Sequence, residues 1–226
     1  MTHLVYLHGF GSGPNSGKAQ ALANHYDWSS VTIPNLEDDD FYHMTMQSMA
    51  DVAVSAIDSV ADDGDHILLV GSSLGGYLAS WLAAEQRLPR HVAGLLLLAP
   101  AFDFGHRWRT LIGAEGLAAW LATGERMFYH YQLATERPLS AAFARSCEEV
   151  PAFPQPANLP TIIIHGRQDE TVPWSVSRLY AEMSPQVEYH LVNSDHALMA
   201  DTDLALICYC AGRLMQSWSQ TSGVSP

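Results

Sequence analysis

The chain has 226 residues, 48% of them apolar and 15% charged, enough for one domain with a sizeable core. Its formal net charge of −13 argues against nucleic acid or an anionic membrane as a partner. No apolar run approaches the length needed to cross a bilayer.

The N-terminus lacks a basic region and a long apolar core, so no signal peptide is expected, and a reducing cytoplasm fits. His3 to Leu7 reads as a first strand, followed by the glycine-rich loop His8-Gly9-Phe10-Gly11-Ser12-Gly13-Pro14-Asn15-Ser16-Gly17-Lys18. Ser16 is placed to cap a helix through residues 19–24. A phosphate-binding P-loop needs glycine where Ser12 stands and Ser or Thr where Ala19 stands. The dinucleotide pattern G-x-G-x-x-G, begun at Gly9 or Gly11, ends on Pro14 or Ser16, so both phosphate readings fail. The use left to the loop is a backbone oxyanion hole, with Phe10 N–H as a donor and His8 holding the loop.

Val31 to Pro34 reads as a weak second strand, and the acid run Glu37 to Asp40 as a solvated loop without calcium-ligand spacing. Met46, Met49, Ala53, Ile57 and Val60 recur at helical steps, predicting an amphipathic helix that ends near Asp62-Asp63-Gly64. Next comes the apolar strand His66 to Val70, then Gly71-Ser72-Ser73-Leu74-Gly75, then helix formers. G-x-S-x-G between a strand and a helix is the nucleophile-elbow pattern. Its glycine spacing selects Ser73 over Ser72, with Leu74 N–H as the second oxyanion donor.

Val92 to Leu98 is near-continuously apolar, as suits a parallel strand covered on both faces. Residues 102–156 break the alternation. They offer no clear strand, helical runs at Leu117–Leu121 and Leu139–Cys147, and many aromatics. We expect a small helical cap here, with Trp108, Trp120 and Tyr129 as candidates for the substrate pocket. Thr161 to His165 resumes the strands, a helix follows over Trp174 to Met183, and Val187 to Val192 is the last strand. A helix from about Asp203 to Trp218 and a disordered tail close the chain. Cys208 and Cys210, two apart on that helix, point to different faces and neither bridge nor share a metal; with Cys147 they read as buried thiols.

This order predicts an α/β fold: one domain over 1–226, a doubly wound, mainly parallel sheet of about six strands and the 102–156 insert. Ligand sites in such sheets lie beyond the carboxyl ends of the strands. Ser73, Asp169 and His196 each follow a strand end, in the order nucleophile, acid, base. Glu170 and then Asp103 are the next choices for the acid, while Asp195 reads as a loop-shaping residue.

The blocks Tyr6 to Phe10, Ser12 to Ala19 and Gly71 to Tyr77 resemble the small YqiA/YcfP-type bacterial esterases. His165 to Trp174 and Ser194-Asp195-His196 are also similar to the mitochondrial acyl-glucuronide esterase and depalmitoylase group. The resemblance implies a compact serine hydrolase of the α/β-hydrolase superfamily, acting on small carboxylic esters or thioesters with neither cofactor nor metal. A ligand-binding protein of the same fold, or a triad enzyme acting on C–C or peptide bonds or in perhydrolysis, are the alternatives.

Overall fold

The computed structural model describes residues 1–60 and 64–221. The expected helix end at Asp62-Asp63 and the tail at 222–226 lie outside the described residues. In chain order the first half comprises β1 (Thr2–Leu7), α1 (Gly17–His25), β2 (Ser30–Thr32), α2 (Met46–Asp58), β3 (His66–Ser72), α3 (Leu74–Ala84) and β4 (Val92–Leu98). After a 3-10 turn at Gly105–Arg107 come α4 (Trp108–Thr123), β5 (Glu125–His130), β6 (Thr135–Ser140) and α5 (Ala141–Glu148). The chain ends with β7 (Thr161–Gly166), α6 (Trp174–Glu182), β8 (Val187–Val192) and α7 (Asp201–Thr221).

Six strands form one parallel sheet in the order β2-β1-β3-β4-β7-β8. Side chains on a strand alternate between the two faces of its sheet, and the apolar runs here bury both. Leu69, Leu95, Leu97 and Ile163 pack into one core cluster with residues of α2, α3 and α6. Leu68, Leu96, Leu98 and Ile164 pack into the other, with residues of α1 and α7. Helices on both faces explain why the strands read as continuous rather than alternating apolar runs. α2 begins at a capping box in which Thr45 and Ser48 each bond the other's backbone N–H. Ser16 occupies the N-cap position of α1, but its side chain makes no capping hydrogen bond.

The segment between β4 and β7 differs from expectation. It is not purely helical: β5 and β6 form an antiparallel hairpin apart from the main sheet. Its turn, Tyr131-Gln132-Leu133-Ala134, has none of the Gly or Asn residues that announce a hairpin, and Ala134 takes the positive φ (50°) itself. Leu139 belongs to β6 rather than to the following helix, because the Ser140 hydroxyl accepts from Ala142 N–H and starts α5 one residue later. The hairpin is held to α4 by rings. Phe128 lies 4.9 Å from Trp120 and 5.5 Å from Phe10, and Trp108 meets Trp120 edge-on at 5.0 Å.

Trp120 and Tyr129 therefore have different work from the pocket role expected of them. Trp120 is 1% exposed and donates its indole N–H to Leu139 O, tying α4 to β6. Tyr129, on the outward side of β5, is 48% exposed. Trp120→Ala is expected to cost about 3–5 kcal/mol of stability and Tyr129→Ser less than about 1, read from urea unfolding midpoints.

Candidate active site

β3 runs into α3 with no intervening loop, so Ser73 must turn the chain alone. It does so at φ 54°, ψ −117°, a conformation that side-chain-bearing residues seldom adopt. Four backbone hydrogen bonds hold it there. Ser73 N–H donates to Leu98 O, and Ser73 O accepts from Gly76, Tyr77 and Ala101. The flanking glycines are required by contact: a Cβ on Gly71 would collide with Gly75 O, and one on Gly75 with Leu7 O. Gly9, after β1, leaves less severe but still tight space, since a Cβ there would lie 3.2 Å from Ser73 Cβ. The first loop is thereby packed beside the serine.

Parallel strands bring Asp169, after β7, and His196, after β8, to the same edge of the sheet. His196 Nε2 stands 3.1 Å from Ser73 Oγ, and Nδ1 stands 2.6 Å from Asp169 Oδ2. The carboxylate accepts on both oxygens. Oδ1 takes Thr171 and Val172 N–H at 2.8 and 2.7 Å, while Oδ2 takes His196 and lies 3.0 Å from His165 Nε2. Because a carboxylate only accepts, the proton of His196 sits on Nδ1, leaving the Nε2 lone pair toward Ser73. The Asp169 side chain is 0% exposed and that of His196 27%, so the carboxylate is sealed and the imidazole is reachable.

Burial alone would raise the Asp169 carboxyl pKa. The hydrogen bonds from His165, His196 and Val172 outweigh it and hold the group well below the usual carboxylate range.

The other candidates are placed elsewhere. Glu170 is exposed, Asp195 accepts from Ala197 N–H within its own loop, and Asp103 pairs with His106. His8 holds the first loop: Nδ1–H donates to Gly9 O, and Nε2 accepts from Leu36 N–H. Leu74 opens α3, so its N–H has no carbonyl one turn earlier in the helix. Ser194 Oγ donates to Asp203, which also accepts from Ala200 N–H, anchoring the His196 loop to α7.

A cavity of about 520 Å³ opens onto Ser73 and His196. Its apolar wall comes from Phe10, Phe104, Trp108, Leu111, Ile112 and Phe128. Of the three expected pocket residues Trp108 alone lines it; Trp120 lies behind it and Tyr129 outside it. The sequence reading missed Phe10 as a wall residue, although its ring contacts Trp108 and Phe128. It also missed Lys18 and Arg107, which line the same cavity. Lys18 belongs to the glycine-rich loop that was already assigned to the site, and its identity as the chain's one lysine was the available signal.

A doubly wound parallel sheet with a strained serine between strand and helix defines the α/β-hydrolase fold. Solved structures agree: mouse alpha/beta hydrolase domain-containing protein 10 superposes with a TM-score of 0.75 at 22% identity, over 96% of this chain and 90% of that one. Est1E of Butyrivibrio proteoclasticus, solved with ferulic acid bound, gives 0.73 at 19% identity, over 96% and 89%. The chain belongs to the family described as Uncharacterised protein family (UPF0227), whose model matches residues 3–203. Palmitoyl-protein thioesterase ABHD10, mitochondrial, from Pongo abelii and from Homo sapiens is 26% identical over 246 residues, spanning 96% of this chain and 74% of the relative. No helix among the described residues is long and apolar enough to cross a membrane.

The Asp169 network has a consequence for stability. A carboxyl whose folded pKa is depressed stabilises the fold above its unfolded pKa, near 3.9, and loses that contribution as pH falls toward the folded value. Urea titrations of wild type and Asp169→Asn should therefore differ by about 2–4 kcal/mol at pH 7 and converge progressively below about pH 4.

Proposed function

We propose that this protein is a serine hydrolase cleaving ester or thioester bonds of small acyl substrates. The observation that carries the reading is the hydrogen-bonded chain Ser73–His196–Asp169 at the mouth of an apolar cavity. The names of the relatives and structural neighbours, thioesterase, esterase and lipase, support the same class.

In this mechanism the Ser73 hydroxyl attacks the acyl carbonyl carbon while His196 Nε2 takes its proton. Phe10 and Leu74 N–H groups receive the oxyanion, each contributing about 3 kcal/mol. Collapse breaks the bond to the leaving alcohol or thiol, which departs with the proton from His196. Water then attacks the acyl-enzyme, giving its proton to His196, and the acid leaves as Ser73 recovers its hydrogen. Asp169 keeps the imidazole in the required tautomer and stabilises it once charged. The 102–156 segment serves as a cap over a single hydrolase domain, its Trp108 and Ile112 receiving the acyl group. With its three thiols free, the protein suits a reducing cytoplasm.

The test is hydrolysis of p-nitrophenyl acetate, butyrate, octanoate and palmitate. Ser73→Ala is expected to lose turnover by a factor on the order of 10⁴ or more with its unfolding midpoint retained, and Asp169→Asn by a factor on the order of 10⁴. Full turnover in Ser73→Ala would overturn the assignment. Ile112→Trp should lower the octanoate-to-acetate ratio of kcat/KM by about tenfold, because it shortens the acyl wall.

A further inference from the structure

The charges around the cavity run against those of the chain. Asp and Glu number 24 and Lys and Arg 11, yet the cavity lining contains two of the cations, Lys18 and Arg107, and no carboxylate residue. Lys18 is the only lysine in the sequence. It stands at the start of α1, and Ser12 and Ser16 just before that helix line the cavity with it, so this part of the lining is polar where the cap's part is aromatic.

The ammonium has three N–H donors and gives one to Ala197 O, its one hydrogen bond among the described residues. Burial lowers its pKa, and the nearby carboxylates of Asp195, Asp169 and Asp203 raise it in turn. Those carboxylates are engaged elsewhere: Asp195 by Ala197 N–H, Asp169 by His196 and two backbone amides, Asp203 by Ser194 and Ala200. Arg107, half-buried on the cap side, forms no ion pair with any described residue within 4.0 Å. Burial lowers its pKa, while Asp103 and Asp169 raise it. Both cations thus line the cavity that opens onto Ser73 and His196, and both feel the Asp169 carboxylate.

Resting on the serine-hydrolase reading, we propose that Lys18, aided by Arg107, makes the site selective for esters or thioesters whose leaving group carries an anion, a carboxylate or a phosphate. The side of the cavity follows from His196. That residue must protonate the leaving group, and Lys18 is bonded to the carbonyl of the next residue, so the ammonium flanks the departing alcohol or thiol rather than the acyl chain. Two unspent N–H donors in a partly desolvated wall favour a compact anion, and the apolar part of the lining suits an uncharged acyl group. Lys18 acts here as a specificity residue; the reacting atoms belong to Ser73 and His196.

The experiment compares butyrate esters of ethylene glycol, glycolate and 2-phosphoethanol, which share an acyl group and differ in leaving-group charge. The wild type should favour one or both anionic esters by about tenfold in kcat/KM, with the preference falling as salt is added. A preference confined to glycolate or to phosphoethanol identifies the anion. Lys18→Met should bring the ratio close to one, Lys18→Arg should retain most of it, and Arg107→Met should lower it in part. A role limited to fixing the His196 loop would instead lower all three rates together in Lys18→Met and leave the ratio unchanged, which would overturn the proposal. So would a wild type that shows no preference, or that cleaves the neutral ester and neither anionic one; this arm needs no variant to fold. Failure on every ester, p-nitrophenyl butyrate included, would overturn the serine-hydrolase reading and this inference with it.

Discussion

The carboxylate of Asp169 is the point on which the site's geometry depends. A buried anion is tolerated only when its lone pairs are met, and here the Thr171 and Val172 amides and His196 bond them, with His165 Nε2 3.0 Å from Oδ2 and bonded to Val172 O. Each partner fixes a different element. The two amides close the turn after β7; His165 sits within that strand and bonds Ser177 of α6, while His196 comes from the loop after β8. The same contacts that make the charge bearable set the distance from His196 to Ser73. Folding and alignment of the triad share one set of hydrogen bonds.

The strand-end logic was legible because it rests on chemistry that short sequence windows record. Gly71 and Gly75 mark a backbone crossing that leaves no space for a side chain, and that crossing makes Ser73 take up the turn. Apolar runs such as Leu95 to Leu98 announce strands covered on both faces. The insert was less legible for two physical reasons. The turn at 131–134 lacks the residues whose backbone preferences would reveal it, so the period-2 pattern of β5 went unread. Aromatic content alone also does not say which ring faces the cavity. Trp108 and Trp120 meet edge to face, and which one reaches the cavity depends on the path of α4, bent at Gly113 where φ is 76°.

The cavity joins two surfaces with opposite demands. Rings from the first loop, from Phe104 and Trp108 on either side of the 3-10 turn, and from the hairpin make one wall, so it depends on residues separated by more than a hundred positions packing together. The other wall joins the loop after β1 to the residue following His196 through the Lys18–Ala197 hydrogen bond, 179 positions apart in the chain, and takes nothing from the hairpin's ring cluster. Substitutions in the hairpin can therefore reshape the apolar wall without touching the hydrogen bonds that align the triad.

One lysine in 226 residues, lining the cavity with Ser73 and His196, also gives the protein a built-in spectroscopic reporter. Reductive methylation with isotope-labelled formaldehyde preserves the positive charge of an amine and adds two methyl groups that resonate apart from those of an α-amine. In an ordinary domain such labelling scatters signals over the whole surface. Here the ε-dimethyl signal arises from a single place, between the polar wall and the imidazole loop. Changes in its shift and linewidth would follow events at the site in solution, with no cysteine or fluorophore introduced.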